Sequence, residues 1–451
     1  MFCFRPEDLR QMARDELVER KEEGYCVEEV EEKFSKIEIR TMADLRSFVE
    51  ALERCPFRRD FPYREPSSFS EIVLQRPRRL QKVSVRISDE ELFDKIYGGW
   101  LGRCAGCLLG KPVEGLSREQ IEVWLKTADS YPLEDYFSPF RDLPEDAPGW
   151  LRDRIRHIDE HFKRTGIGVL RGQISCMARD DDIDYTIVNL HILENYGLGF
   201  TTMSVGEAWI SLLPYLRVYT AERAAYRNLV NGLGPPETAT HMNPYREWIG
   251  AQIRADMWGY VAPGNPELAA ELAYRDASLS HVKNGIYGEM FVSAMISEAF
   301  VTDDIETIIE TGLAVIPKRS RLAEAVKDVV GWSKEYADWR DTWSRITEKY
   351  GHYHFVHTIN NAAMVTMGLL YGKNDYEKSI TTSVMAGLDT DCNGATVGSI
   401  LGVVLGAKNL PEKWVKPLND TVESYVLGYN NSRISRLAER TFKISKKILE
   451  S

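Results

Sequence analysis

Two runs of glycine at intervals of four constrain this chain more than any other feature: Gly98, Gly102, Gly106 and Gly110, and far downstream Gly394, Gly398, Gly402 and Gly406. Residues four apart share one face of a helix, so each run clears a stripe along which a neighbouring backbone can approach closely. Glycine disfavours helix by roughly 1 kcal/mol relative to alanine, so keeping four in register answers a structural demand. The first run follows Ser88, an N-cap with Glu91 three positions on, which reads as a capping box opening a major helix; Pro112 forces its exit. The second ends near Asn409 and Pro411. Both adjoin acidic or polar loops. One reading packs the two helices together around a site, and the other is ordinary tight packing.

Apolar residues recur at three or four along 185–196, 204–216, 269–276, 287–300, 305–313, 321–332 and 359–370, which predicts helices there. Convincing strands are few. The VSVRI segment ending at Ile87 alternates with period two, as a short strand or extended linker would. The expected fold class is therefore all-α: a large multi-helix catalytic domain over 89–451 and a charged, mainly helical accessory extension over 1–88.

Composition excludes several classes. A 43% hydrophobic, 28% charged chain with 19 Pro and 32 Gly is that of a folded globular protein. A formal net charge of -11 repels phosphate backbones and anionic lipid, so neither nucleic acid nor membrane is an expected partner. The basic run from Arg76 to Lys82 has no interleaved aromatics and reads as a solvated charge run. No stretch has the apolar length of a membrane helix and the N-terminus has no signal-like core, so a cytoplasmic location is expected. Seven cysteines do not form a disulfide framework, and Cys104 and Cys107, a CxxC among small residues, read as packing residues before redox or zinc ligands.

Two acidic clusters carry the chemistry. Asp180, Asp181 and Asp182, with Asp184 beyond, precede a helical stretch, where helix N-termini commonly hold one or two acids. Three or four at this density repel one another in a buried setting unless a cation compensates them. Asp389 and Asp391, with Asn393 and Gly394, open like a calcium loop, but its twelfth position is Ile400 where a bidentate glutamate is required. Together they supply hard oxygen ligands for Mg²⁺, Mn²⁺ or Ca²⁺; two unrelated helix caps remain the alternative.

In order along the chain, GGWLGRCAGCLLGKPVEG (98–115), Asp180-Asp181-Asp182, the 277–300 segment with Ser280, His281, Tyr287 and Gly288, and Asp389-Thr390-Asp391-Cys392 resemble the motifs of the ADP-ribosylglycohydrolase family. The resemblance spans about 89–410. It implies an all-α fold around a centre of two Mg²⁺ ions, with Mn²⁺ as the alternative, that hydrolyses an N- or O-glycosidic bond at the anomeric carbon of a ribose. The substrate it implies is a small-molecule or protein-linked ribosyl compound. Carried over residue by residue, Asp180, Asp181, Asp182, Asp389, Asp391 and Cys392 stand as metal ligands, and Glu114 stands near the substrate ribose as first choice for the base, with Asp182 as rival. Arg254, His281 and Tyr287 are candidates to contact phosphate, base or ribose. Asp180 occupies a position usually held by Thr, Cys107 replaces an Asp, and Cys392 replaces a Thr or Ser. Thiolate matches Mg²⁺ poorly, so either Cys392 stands off or the site shifts toward Mn²⁺. These departures place the chain in a divergent branch. A nucleoside or ribosyl-metabolite hydrolase, a metal-dependent phosphatase and an inactive ligand-binding member are the competing functions.

Overall fold

The computed structural model describes residues 5–34, 38–78, 80, 85–140 and 142–450. Helices follow one another almost without interruption. The N-terminal ones are α1 (Pro6–Glu22), α2 (Glu28–Phe34), α3 (Met42–Glu53) and α4 (Phe69–Gln75). Then come α5 (Asp89–Gly110), α6 (Arg118–Thr127), α7 (Gly149–Thr165), α8 (Asp181–Tyr196), α9 (Thr202–Leu212), α10 (Thr220–Val230), α11 (Glu237–Thr240), α12 (Asp256–Tyr260) and α13 (Pro266–Ala277). The remainder are α14 (Lys283–Ala299), α15 (Ile305–Ala314), α16 (Arg321–Glu335), α17 (Trp339–Tyr350), α18 (Thr358–Gly372), α19 (Tyr376–Met385), α20 (Thr390–Leu405), α21 (Glu412–Val415) and α22 (Ile434–Leu449). Among the described residues the only paired strands are β1 (Thr421–Val422) and β2 (Ser432–Arg433), antiparallel and two residues long. The fold is all-α, as expected.

Each predicted periodic stretch coincides with a helix, but two end early: 287–300 stops at Ala299 with Phe300 as the C-cap of α14, and 204–216 ends as α9 at Leu212, because Pro214 withdraws a backbone donor, and continues as a 3₁₀ turn at Tyr215–Arg217. Val83 and Ser84 of the VSVRI segment lie outside the described residues; 85–87 is irregular backbone. Arg79, Gln81 and Lys82 of the basic run lie outside them too. Arg76 departs from the solvated reading. It is 8% exposed, donates to Val315 O at 2.7 Å and pairs with Glu267 at 2.6 Å, because α4 lies against the larger core.

That core is one apolar cluster including Trp100, Trp124, Trp209, Trp258 and Trp414, to which α4 contributes Ile72. A second, small cluster gathers Leu9, Met12, Leu17, Leu45, Phe48 and Leu52 of α1 and α3 with Met242. No helix among the described residues is long and apolar enough to cross a membrane.

At the centre, α5 and α20 run antiparallel with backbones in contact. A Cβ at Gly98 would lie 2.2 Å from Gly402 O, one at Gly102 2.1 Å from Gly398 O, and one at Gly106 2.0 Å from Gly394 O. The fourth rung differs from the spacing: Gly110 faces Thr390 O, where a Cβ would approach to 2.1 Å. Gly406 lies past the end of α20 at φ +76°, a helix stop that glycine adopts without strain. The rung at Thr390 is closed by its hydroxyl, which donates to Gly110 O at 2.8 Å. Ser88 caps α5 by accepting the Glu91 N–H at 3.2 Å.

Candidate metal centre

Antiparallel packing brings the C-terminal end of α5 to the N-terminal end of α20, and the N-terminus of α8 meets both. Acids from three helix ends thereby converge. Asp180 is the N-cap of α8; one oxygen accepts the Asp182 N–H at 3.1 Å and the other takes the Lys111 ammonium, which follows directly on α5. Asp182 is 1% exposed, with Arg103 Nη2 3.1 Å from Oδ1 and the Cys392 thiol donating to Oδ2 at 3.1 Å. Asp181 sits at the edge, 3.8 Å from Arg179 Nη1. Asp184 turns away, bonded to Arg179 at 2.8 Å and to Ser424 at 2.6 Å.

The turn entering α20 is built to aim its carboxylates. Gly387 and Leu388 hold φ of +81° and +67°, and for leucine that is an unfavourable left-handed conformation. Gly115 N–H donates to Leu388 O at 2.9 Å, tying the Glu114 loop to this turn. Asn361 Oδ1 accepts the Asp389 N–H at 3.2 Å and Asn393 Nδ2 at 2.8 Å. Oδ1 of Asp389 and Oδ1 of Asp391 are buried without a hydrogen-bond partner.

Three overlapping groups result: Cys107, Asp180 and Asp182; Asp182, Asp391 and Cys392; Glu114, Asp389 and Asp391, with potential ligand atoms in each lying within 4.8 Å of one another. Asp182 and Asp391 link them into one continuous cluster, and Glu114 stands at its exposed edge.

Electrostatics follow. Burial drives the Asp182, Asp389 and Asp391 carboxyls well above the usual carboxylate range, and neighbouring acids add to it. Asp181 is pushed to about 6 by burial and the charge of Asp180, and Glu114 to about 8 by the charge of Asp391 and then by burial. Burial also acts on Asp180, but the Lys111 ammonium beside it holds it below its ordinary value. Burial raises the thiols of Cys107 and Cys392. Carboxylates that must otherwise take up protons, with orphaned oxygens turned inward, fit a hard divalent cation. Cys392, protonated, serves as a donor to Asp182.

The other expected residues lie elsewhere. Arg254 is fully buried behind α8, bonded to Glu222 at 2.7 Å, Asp276 at 3.0 Å and Ser280 at 2.9 Å, with its guanidinium 4.9 Å from the Trp209 ring. His281 is buried, with Nδ1 2.8 Å from Ser280 Oγ. Tyr287 donates to Pro66 O, fastening the segment that leads into α4. None of the three joins the acid cluster. Sequence reasoning missed Lys111, Arg103 and Asn361. A cation in the glycine-rich, otherwise apolar stretch of α5 was the available signal for Arg103; Asn361 had none.

The model of the ADP-ribosylglycohydrolase family matches residues 88–448. The chain belongs to the ADP-ribosylglycohydrolase family. No curated protein matches it. A solved structure described as an ADP-ribosylglycohydrolase-related protein complex aligns over 79% of this chain and 99% of its own at 17% identity, with a TM-score of 0.48. Family membership and the chelating clusters make this ADP-ribosylglycohydrolase a metal-dependent glycosidic hydrolase acting on ribosyl substrates.

Proposed function

We propose that the enzyme hydrolyses the N- or O-glycosidic bond at the anomeric carbon of a ribose, in an ADP-ribose-linked or related substrate, with two Mg²⁺ ions, or Mn²⁺ in their place, as its cofactor. Asp182, Asp389 and Asp391 are the core ligands, with Asp180, Asp181 and Cys392 around them. Cations held by these residues would supply Lewis acidity for orienting the sugar and lowering the pKa of a water. Residues 89–451 are the catalytic part in this reading, and 1–88 the accessory part.

The chain's own groups divide the remaining work. Glu114, at the exposed edge and within 4.8 Å of Asp389 and Asp391, accepts the proton of the attacking water. The buried carboxylates stabilise positive charge developing on the ribose as the leaving group departs. Lys111 and Arg103 each pin one carboxylate of the α8 turn, holding Asp180 and Asp182 in place before substrate arrives.

The observation that carries this reading is the pair of orphaned buried oxygens of Asp389 and Asp391 beside Glu114. The test measures Mg²⁺ binding by calorimetry and release of ADP-ribose from an ADP-ribosylated substrate. Asp389→Ala should lose both. Glu114→Gln should bind Mg²⁺ yet turn over about 10²- to 10⁴-fold more slowly. Full activity in Asp389→Ala would refute the metal centre, and an unaltered rate in Glu114→Gln would remove Glu114 as the base.

A further inference from the structure

Next to the acid cluster a buried guanidinium is held between two carboxylates. Arg103, on α5, is fully buried, and its Nη2 lies 3.1 Å from Asp182 Oδ1. Its Nη1 lies 2.7 Å from Oδ2 of Asp256, which opens α12 and is equally buried. The other donors are committed to backbone: Nε and Nη2 donate to Asp182 O at 3.1 and 2.8 Å, and Nη2 also donates to Ile253 O. Beyond Asp256, the Tyr260 hydroxyl lies 3.4 Å from its Oδ1 and 2.6 Å from Ser399 Oγ. Residues of α5, α8, α12 and α20 thereby fix one fork and its two acids.

The charges around the cluster resolve into pairs. A guanidinium keeps its proton inside a protein, and a buried charge requires a partner. Lys111 stands against Asp180, and Arg103 stands between Asp182 and Asp256. Among the described residues no ammonium or guanidinium pairs with Asp389 or Asp391, whose Oδ1 atoms are orphaned. With Asp180 answered by Lys111 and Arg103 answered by Asp256, the charges of Asp182, Asp389 and Asp391 are left for a cation.

Asp182 is thus oriented by Arg103 without being neutralised by it. Were Asp256 uncharged, the whole guanidinium charge would fall on Asp182, one of the two acids that link the ligand groups. It would then repel a divalent cation across a short stretch of interior, where neither water nor salt screens it. The second oxygen of Asp182 receives only the neutral Cys392 thiol, at 3.1 Å.

We infer that Asp256 is a positioning residue for the metal centre: as the counter-charge to Arg103, it lets that guanidinium orient Asp182 without cancelling the charge with which Asp182 holds a cation. The inference rests on the metal reading of the acid cluster and gives a role within it to a carboxylate outside the ligand groups.

Calorimetry of Mg²⁺ binding to the full chain, below the Tm of each protein, compares wild type, Asp256→Asn and the double variant Arg103→Gln/Asp256→Asn. Asp256→Asn keeps the shape of the side chain and leaves the guanidinium uncompensated, so it should bind Mg²⁺ about 10- to 100-fold more weakly than wild type. The double variant removes that charge again and should bind more tightly than Asp256→Asn, by about 5-fold or more, although a second side chain has been changed. A role confined to holding the helices together predicts the reverse order, because two cuts loosen a network more than one. A smaller gain, or a further loss, in the double variant would overturn the inference, as would equal affinity in wild type and Asp256→Asn. Should Asp256→Asn not fold, the double variant decides alone: Mg²⁺ affinity within about 10-fold of wild type supports the counter-charge, and a greater loss overturns it. Absence of Mg²⁺ binding in wild type would remove the metal reading and the inference together. Binding lost in Asp389→Ala but unaltered in Asp256→Asn would remove the inference alone.

Discussion

Glu114 and Asp181 differ from the deeper acids in one respect that can be measured. Their raised values, about 8 and about 6, fall in an accessible pH range. A carboxyl whose pKa is higher in the folded than in the unfolded chain adds stability at low pH, and that stability is lost as pH rises through the folded value. The metal-free protein should therefore lose Tm between pH 5.5 and pH 8.5. Divalent cations bind the deprotonated form, so Mg²⁺ should restore Tm most at the alkaline end. Scanning calorimetry in EDTA and in Mg²⁺ at three pH values checks this, and a Mg²⁺ effect independent of pH would show that the cluster does not exchange protons for metal. Glu22, also raised to about 8 by burial, titrates in the same window, so the Mg²⁺-dependent difference in Tm, and not the Tm change by itself, reports on the acid cluster.

The helix pair α5 and α20 shows which part of the fold could be read directly. Glycines four apart in two places announce two bare stripes, and the acids flanking them announce where the stripes end. The register could not be read, because nothing in either run says that Gly110 meets Thr390 while Gly406 serves as the helix stop. Side chains that act across long stretches of sequence were less legible still. Lys111 reaches Asp180, Asn361 holds Asp389, and Arg217 stacks on Tyr425, each contact made by an isolated residue without periodicity. The partners of Arg254 were equally hidden: its buried guanidinium is matched internally by Glu222 and Asp276, each from a different part of the chain. The stripe itself is testable. At Gly102 an added Cβ meets Gly398 O at 2.1 Å, a backbone atom held by its own helix. Gly102→Ala should cost about 1–3 kcal/mol or more, with Tm falling accordingly. Gly331, in α16, has nothing within 4 Å of a built Cβ, so Gly331→Ala should stabilise by roughly 0.5–1 kcal/mol. Equal effects at the two positions would contradict the packing account.

At the scale of the whole molecule, α1 is joined to the main body through buried charge. Arg246, 3% exposed, bonds Glu16 and Glu23 of that region at 2.8 Å each, and Lys283 reaches Glu23 at 3.1 Å. Nearby, Arg321 pairs with Glu65 at 2.8 Å and with Glu247, so the segment before α4 enters the same network. Burial pushes Glu19 well above the carboxylate range despite Arg246, whereas Arg246 and Lys283 hold Glu23 low against the same burial. The network adjoins α18, whose Thr358 N–H donates to Glu247 O at 3.2 Å, and one helical turn later Asn361 holds the turn of Asp389. Removing one partner from such a network leaves the others buried without compensation, which is far more damaging than the net worth of the pairs. Arg246→Ala should therefore destabilise by about 3–5 kcal/mol and expose α1 to limited proteolysis. Arg10→Ala, which removes an exposed cation 3.8 Å from Glu38, should cost no more than about 1 kcal/mol. Because α18 joins the two regions, Arg246→Ala should also weaken Mg²⁺ binding measured below its own Tm. Destabilisation with unchanged Mg²⁺ affinity would show that the extension is anchored to the enzyme without supporting its acid cluster.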